Sequence, residues 1–412
     1  MQVFKFGGAS IHSATGVQQV TKIIKQCAGQ KILIVVSAMG KTTNALEKVV
    51  ANFHNEKNYS AELEFIKEYH HEVMQELFYP GSPVWLKIDN EFDSIQRIKK
   101  VELDELYDQI VSIGEIVSTL ILHQYLTDQG IAIEWIDARK YIITDTTFRD
   151  GKVDWAETEK RVSHLRKILD NKFVLAQGFI GGNSNGTTTT LGRDGSDYSA
   201  AIFASCLNAE SVTIWKDVPG VMNADPRRLP EAVVFEELPF REAAEMTYYG
   251  ASVIHPKTIK PLANKNIPLY VKSFDDPSLP GTIIHETKLD HLPPLIVFKD
   301  NQCLVSCRVT DYTFIDELQF SYIFHALSEL NIRINVMQNS AISFSFCIDY
   351  REDKVAALIE RMSSHFEVYY NTGLTLITIK NYDAASAEKY RTLPGVLLEQ
   401  LSRSTLQVLV KN

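Results

Sequence analysis

Cysteine is scarce in this chain of 412 residues. The five present (Cys27, Cys206, Cys303, Cys307 and Cys347) are scattered, and the one close pair, Cys303 and Cys307, lies in the alternating run "QCLVSCRV" rather than in a ligand loop. That excludes a disulfide framework and a zinc site, and it points to reduced thiols in the cytoplasm. Long basic stretches are missing too, and the net charge is −9, so a phosphate-tracking nucleic-acid surface is not expected. The opening "MQVFKFGG" has neither the basic start nor the apolar stretch of a secretory signal. No purely apolar run of membrane-spanning length follows, so no membrane partner is expected. Low-complexity segments are absent, which leaves a globular protein acting on small molecules.

What the chain does have is apolar residues, 45% of the total against 23% charged, enough for a large core and two or three domains. Short β-branched runs alternate with helical patterns from the start. "MQVFKF" reads as a strand, Gly16 to Ala28 as a helix with Val17, Val20, Ile24 and Cys27 on one face, and "KILIVVSAMG" as a strand. Strands apolar throughout imply a parallel sheet covered by helices, an α/β fold. A helical excursion follows from about Glu47 to Gly130, broken near "YPGSP". Further strands are predicted at "IAIEWIDA", "KFVLAQGFIG", "SVTIWKDV" and "IPLYVKSF". Prolines 277, 280, 293 and 294 suggest a boundary. Beyond it the order is βαββαβ, with helices over Phe314–Leu330 and Lys354–Ser364, and then a strand, a helix from Ala384 to Leu401 and a last strand.

Several segments carry chemistry. "KFGGAS" puts Lys5 at a strand end and Gly7, Gly8 and Ser10 in the turn before a helix, where converging N–H groups, a helix N-terminus and a mobile cation suit a phosphate; a plain tight turn is the alternative. "VVSAMGKTT" imitates a Walker A loop but has Val35 where that loop needs glycine. Ser37, Thr43 and Asn44 are instead candidates to line a pocket at a strand's C-terminal end. In "GFIGGNSNGTTTTLGRDGSDYSAA", Arg193 offers a bidentate donor for a carboxylate, Gly192 and Gly195 allow close approach, and Ser196 and Asp197 are placed where a helix is capped. "IWKDVPGVMNADPRRL" gathers Lys216, Asp217, Asp225 and Arg227, with aspartates for Mg²⁺ and basic groups for phosphates, or simply turns. Glu115 lies early in an otherwise apolar helix, and such a glutamate is more often solvated than a ligand. His255 and Lys257 precede a helix, and His255 reads as structural.

Together "KFGGAS", "VSAMGKTTN", "SIGE", "GFIG", "TTTTLGRDGSD", "DVPGVMNADPR" and "GASVIHPKTI" resemble the aspartate kinases of the amino-acid kinase family. The resemblance implies a three-layer αβα sandwich around a mainly parallel sheet over residues 1–285. It also implies ATP-dependent phosphorylation of the β-carboxylate of L-aspartate, the step that opens lysine, threonine and methionine synthesis. By resemblance Lys5, Gly7 and Gly8 meet the ATP phosphates, and Lys216, Asp217 and Arg227 complete the nucleotide site. Thr43, Glu115, Arg193 and Ser196 hold aspartate, Lys5 and Asp197 are catalytic, and Mg²⁺ accompanies ATP. Relatives often carry tyrosine where Met222 stands and lysine where Ser252 stands, and Asp194 replaces a frequent glycine. Residues 296–412 look like ACT regulatory modules, one complete unit plus a reduced βαβ piece, that bind an amino-acid effector and pair into a homodimer or higher homo-oligomer. Lysine-inhibited relatives have an acidic residue where Ala341 stands, so lysine is not the expected effector. Nothing after residue 412 provides for the homoserine dehydrogenase fused to some relatives, so a monofunctional kinase is expected. A kinase for another acidic amino acid, or a sensor whose kinase site has decayed, stays open at this point.

Overall fold

The computed structural model describes residues 1–251, 254–289, 291–310 and 313–411. In chain order the first elements are β1 (Gln2–Phe6), α1 (Ala14–Gln26), β2 (Ile32–Val36), α2 (Thr42–His54), α3 (Ser60–Leu77), α4 (Val84–Asp93) and α5 (Leu103–Asp128). There follow β3 (Ile133–Trp135), β4 (Ile143–Thr144), α6 (Trp155–Ser163), α7 (Leu165–Leu169), β5 (Phe173–Gln177), β6 (Ile180–Asn183), β7 (Thr188–Thr190), α8 (Gly195–Leu207), β8 (Ser211–Lys216), β9 (Glu237–Pro239), α9 (Phe240–Tyr249), α10 (Pro256–Ala263), β10 (Leu269–Ser273) and β11 (Thr282–His285). The rest comprises β12 (Leu295–Arg308), α11 (Glu317–Glu329), β13 (Ile334–Asn339), β14 (Ser343–Asp349), α12 (Glu352–Met362), β15 (Glu367–Lys380), α13 (Ala384–Arg391), β16 (Val396–Leu401) and β17 (Thr405–Lys411). Two compact units result: Met1–Val221, Val234–Ala244 and Ser252–Lys288 form one, and Met222–Val233, Glu245–Ala251 and Leu289–Asn412 the other.

The first unit is built on an eight-stranded sheet in the order β3-β5-β2-β1-β8-β10-β11-β9. All its pairings are parallel except β10 with β11. β2 is buried at every position, as a central strand covered on both faces must be. α1 starts where Ser13 Oγ accepts from Gly16 N at 3.2 Å, and it buries Val17, Val20 and Ile24. The long segment between β2 and β3 is helical, α2 to α5, and interrupted before Val84.

"KFVLAQGFIG" is not one strand. β5 stays in the large sheet, while β6 joins β4 and β7 in a separate three-stranded sheet. The chain turns at Phe179, where φ is +69°. Gly178 permits it, because a Cβ there would fall 2.5 Å from that of Ser196. α5 is, among the described residues, the helix long and apolar enough to cross a bilayer by length and composition, with mean hydropathy 1.3. Buried Asp108 and Glu115 lie on it, and 72% of its apolar window is buried within the protein.

The second unit holds the antiparallel sheet β13-β14-β12-β15-β17-β16. β12 and β15 are each 14 residues long and serve two halves. Their Cys303–Arg308 and Glu367–Asn371 stretches pair beside β14 under α11 and α12, the predicted βαββαβ order. Cys303 and Cys307 point into that core with Ile323, Phe346 and Leu358. The other half differs from expectation. The helix expected over Ala384–Leu401 ends at Arg391, and Val396–Leu401 is a strand paired with β17. Pro394 and Gly395, with φ +79° at the glycine, stop the helix. Leu398 then packs with Leu376 and Leu409, burial that a continued helix would forfeit. The second piece is thus βαββ, completed by Leu295–Lys299 of β12.

Asp108 ties three parts of the first unit together. Its buried carboxylate accepts from Thr190 N and Thr190 Oγ1, each at 2.7 Å, and from Arg149 N at 3.0 Å. Replacing it with alanine strands these buried donors, at about 1–3 kcal/mol for each group left unsatisfied. Asp108→Ala should therefore lower the thermal midpoint by several degrees in calorimetry, and an unchanged midpoint would contradict this account.

Candidate active site

Strands β1, β2 and β8 are parallel and in register, so Lys5 stands beside Val35 and Ile214 and the three C-terminal ends open together. That is where open α/β sheets bind ligands. The turn after β1 nests against the loop after β2. Gly40 N donates to Gly8 O at 3.0 Å, and Ser37 N donates to Phe6 O at 3.2 Å. A Cβ on Gly8 would lie 2.4 Å from Ala38 O, so only glycine allows the approach.

Lys5 Nζ lies 2.8 Å from Asp197 Oδ1, and both side chains are nearly buried. Burial pushes the Asp197 carboxyl upward, but the ammonium groups of Lys5 and Lys216 outweigh it and hold the group below the usual carboxylate range. Lys216, at the end of β8, is pulled downward by its own burial and the like charge of Lys5, against the pull of Asp197. Two cations around one anion leave an excess positive charge, suited to a polyphosphate. Asp197 sits in the first turn of α8, where the helix dipole favours its charge. The cap itself is a correction to expectation. Asp194, not Ser196 or Asp197, is the N-cap residue, in a left-handed conformation with φ +54° and no side-chain cap bond.

Glu115 was expected to be solvated on chemistry alone, and it is buried instead, 2% exposed. It projects from the middle of α5 toward the loop after β2, where Ala38 N donates to its Oε1 at 3.4 Å. Its Oε2 finds no hydrogen-bond partner among the described residues. Burial raises the carboxyl from an ordinary 4.5 to about 8. An uncompensated buried acid is costly and calls for a cationic partner.

One cavity of about 590 Å³ is lined by Lys5, Gly8, Thr43, Glu115, Arg193, Ser196, Asp197 and Lys216 together. Gly7 does not line it, although a Cβ there would be 3.5 Å from Lys5 Nζ. Asp217, one residue beyond Lys216, turns to a neighbouring cavity that shares Ala9 and Gly40. Arg227 belongs to the second unit and does not line this cavity; its exposed guanidinium pairs with Asp225 at 2.8 Å. Ser252 lies outside the described residues. His255 is structural, as read: its ring nitrogen accepts from Lys257 N at 3.2 Å and caps α10. Lys257 pairs with Asp150, between β4 and α6, and its Nζ also donates to Leu191 O, before α8, at 3.5 Å.

Sequence reasoning missed Tyr107 and Arg149, which also line the cavity. Tyr107 could have been found from its spacing, two turns before Glu115 on one helix. Arg149 had no signal, because its loop reaches the site only through Asp108. Among the described residues no three His, Cys, Asp or Glu side chains gather as a metal cage.

The amino acid kinase family model matches residues 1–273. The chain belongs to the amino acid kinase family. Within that family its kinship is with aspartokinases. The lysine-sensitive aspartokinase 3 of Escherichia coli K12 is 30% identical over 402 residues, covering 93% of this chain and 88% of that protein. The chloroplastic bifunctional aspartokinase/homoserine dehydrogenase 2 of Arabidopsis thaliana is 29% identical over 432 residues, 98% of this chain. The chain spans only 47% of that relative. The crystal structure of E. coli aspartokinase III with aspartate and ADP superposes with TM-score 0.82 at 28% identity, over 100% of this chain and 96% of that one.

Glu115 generates a stability prediction. The folded state keeps a proton that the unfolded chain gives up above 4.5, so this residue's contribution to stability is greatest in acid and is lost as pH rises through about 8. Glu115→Gln removes that loss. Its thermal midpoint relative to wild type should rise between about pH 5 and about pH 8 and level off above, and a pH-independent difference would show that Glu115 is not a proton-holding buried acid.

Proposed function

We propose that the protein transfers the γ-phosphoryl group of ATP to the β-carboxylate of L-aspartate, giving 4-phospho-L-aspartate. The observation that carries this reading is buried Glu115, its Oε2 without a hydrogen-bond partner, facing the same cavity as Arg193 and the Lys5–Asp197–Lys216 cluster. An acid for an ammonium, a planar cation for a carboxylate and surplus positive charge for phosphates is the complement of an acidic amino acid beside a nucleotide. The aspartate and ADP bound to the similar E. coli enzyme support it. In this reading the first unit does the chemistry and the second regulates.

Glu115 takes the substrate ammonium, Arg193 the α-carboxylate, and Thr43 and Ser196 hydrogen-bond around them. Lys5 and Lys216, with the N–H groups of the Gly7–Gly8 turn, neutralise charge developing on the phosphoryl oxygens. Asp197 keeps the two lysines apart and aimed. Mg²⁺ would accompany ATP and offset the charge of its phosphates. The acceptor carboxylate is already ionised at neutral pH, so no strong base is required. The transfer then depends on placement: the β-carboxylate oxygen bonds to the γ-phosphorus as the bond to the bridging oxygen breaks and ADP leaves.

For the second unit we infer an amino-acid effector site and pairing between copies of the chain. The edge strands β13 and β16 are open, and Phe314 and Leu318 of the same unit are 75% and 80% exposed. Ala341 offers no carboxylate to a lysine ammonium, so calorimetric titration should detect no tight lysine binding. Five free cysteines fit the reducing cytoplasm.

The direct test is ADP release with and without L-aspartate, with the acyl phosphate trapped by hydroxylamine. Lys5→Ala should reduce kcat by about 10²-fold or more, whereas Arg193→Ala should mainly raise the KM for aspartate. Unaltered kinetics in both would overturn the assignment. Because Glu115 must ionise to meet an ammonium, the KM for aspartate should climb as pH falls below about 8, by up to about tenfold per unit. A flat profile in Glu115-intact protein would count against that role.

A further inference from the structure

Arg149 occupies a backbone conformation that disfavours it, with φ +61°. Three contacts hold it there. Its N–H donates to buried Asp108 at 3.0 Å, its Nε pairs with Asp104 at 2.6 Å, and its guanidinium lies 4.1 Å over the ring of Tyr107. Tyr107 is fixed in turn, its hydroxyl donating to Glu47 at 2.9 Å. Asp104, Tyr107, Asp108 and Glu115 all project from α5, and Thr43 and Glu47 stand one turn apart on α2. The stack is therefore anchored to the two helices that carry Glu115 and Thr43.

Behind it lies a second cavity of about 390 Å³, lined by Val50, His54 and Leu103, with Tyr107 and Arg149 common to both cavities. The two residues are a partition: the cleft ends on one side of the stack and empty volume begins on the other. We propose that the Arg149–Tyr107 stack is the end wall of the acceptor cleft and sets the length of the acidic amino acid it admits. The inference rests on the reading of the cleft as a site for an acidic amino acid. A wall on that side of such a cleft disfavours a substrate one methylene too long, a discrimination worth about 10–200-fold in kcat/KM. Glutamate is that substrate. Removing the wall joins the cavities and gives the extra methylene room.

The test is Arg149→Gly, alone and with Tyr107→Ala. Glycine suits a positive φ, so the single variant relieves backbone strain rather than adding it and is expected to fold. Aspartate- and glutamate-dependent ADP release is measured for wild type and both variants, with hydroxylamine trapping. The inference expects kcat/KM for glutamate to rise in absolute terms, and the preference for aspartate over glutamate to fall by about tenfold or more. A merely structural role would lower both activities together. If wild type uses aspartate while both variants keep its preference within about twofold, the wall assignment is overturned. If wild type shows no aspartate-dependent ADP release, the reading of the cleft itself fails, and the inference with it.

Discussion

The site depends on a buried carboxylate held between two lysines. Asp197 is buried, and so are Lys5 and, nearly, Lys216. Asp197 is the member the others depend on, because removing it leaves two like charges facing each other away from water. The sheet makes the grouping possible. Adjacent parallel strands in register present Lys5 and Lys216 at the same edge, and α8 enters close enough to supply Asp197 only because Gly178 and Gly195 have no side chains: a Cβ on Gly195 would fall 2.6 Å from the Phe179 ring. Fold and charge arrangement therefore constrain each other, and the glycines are as much a part of the site as the lysines.

Glu115 is the complementary case. Asp197 has its counter-charges within the protein, whereas Glu115 has one weak backbone donor and an orphaned oxygen. The first group is ionised at rest. The second holds its proton to about pH 8 and is poised to lose it to a cationic ligand. Two carboxylates in one cleft thus differ in charge state because their surroundings differ.

Much of this was legible in the sequence. Periodicity located the apolar strands β1 and β2 and the helical excursion, and residue chemistry singled out Lys5, Arg193 and Lys216. The failures have physical causes. "KFVLAQGFIG" reads as one strand because both halves are apolar; the division at Phe179 depends on α8, which is remote in sequence. Val396–Leu401 reads as helix because its strand identity comes from pairing with β17, a contact that local propensity does not encode. Glu115 was undervalued since burial is set by the elements packed around a helix. Arg149 was invisible because it acts through a stack whose other half is on a different element.

The loop after β8 shows the same principle at the scale of a unit. "MNADPRR" follows Lys216 closely in sequence, yet residues 222–233 belong to the compact body of the second unit. The bonds explain it. Ile296 N donates to Asn223 O at 2.8 Å, Asn223 Nδ2 to Pro294 O at 3.0 Å, and Arg228 pairs with Asp300 at 2.6 Å while lying over Phe298. The loop is fixed to β12, the strand shared by both halves of the six-stranded sheet. A perturbation that shifts β12 must carry Asn223 and Arg228 with it or break those bonds.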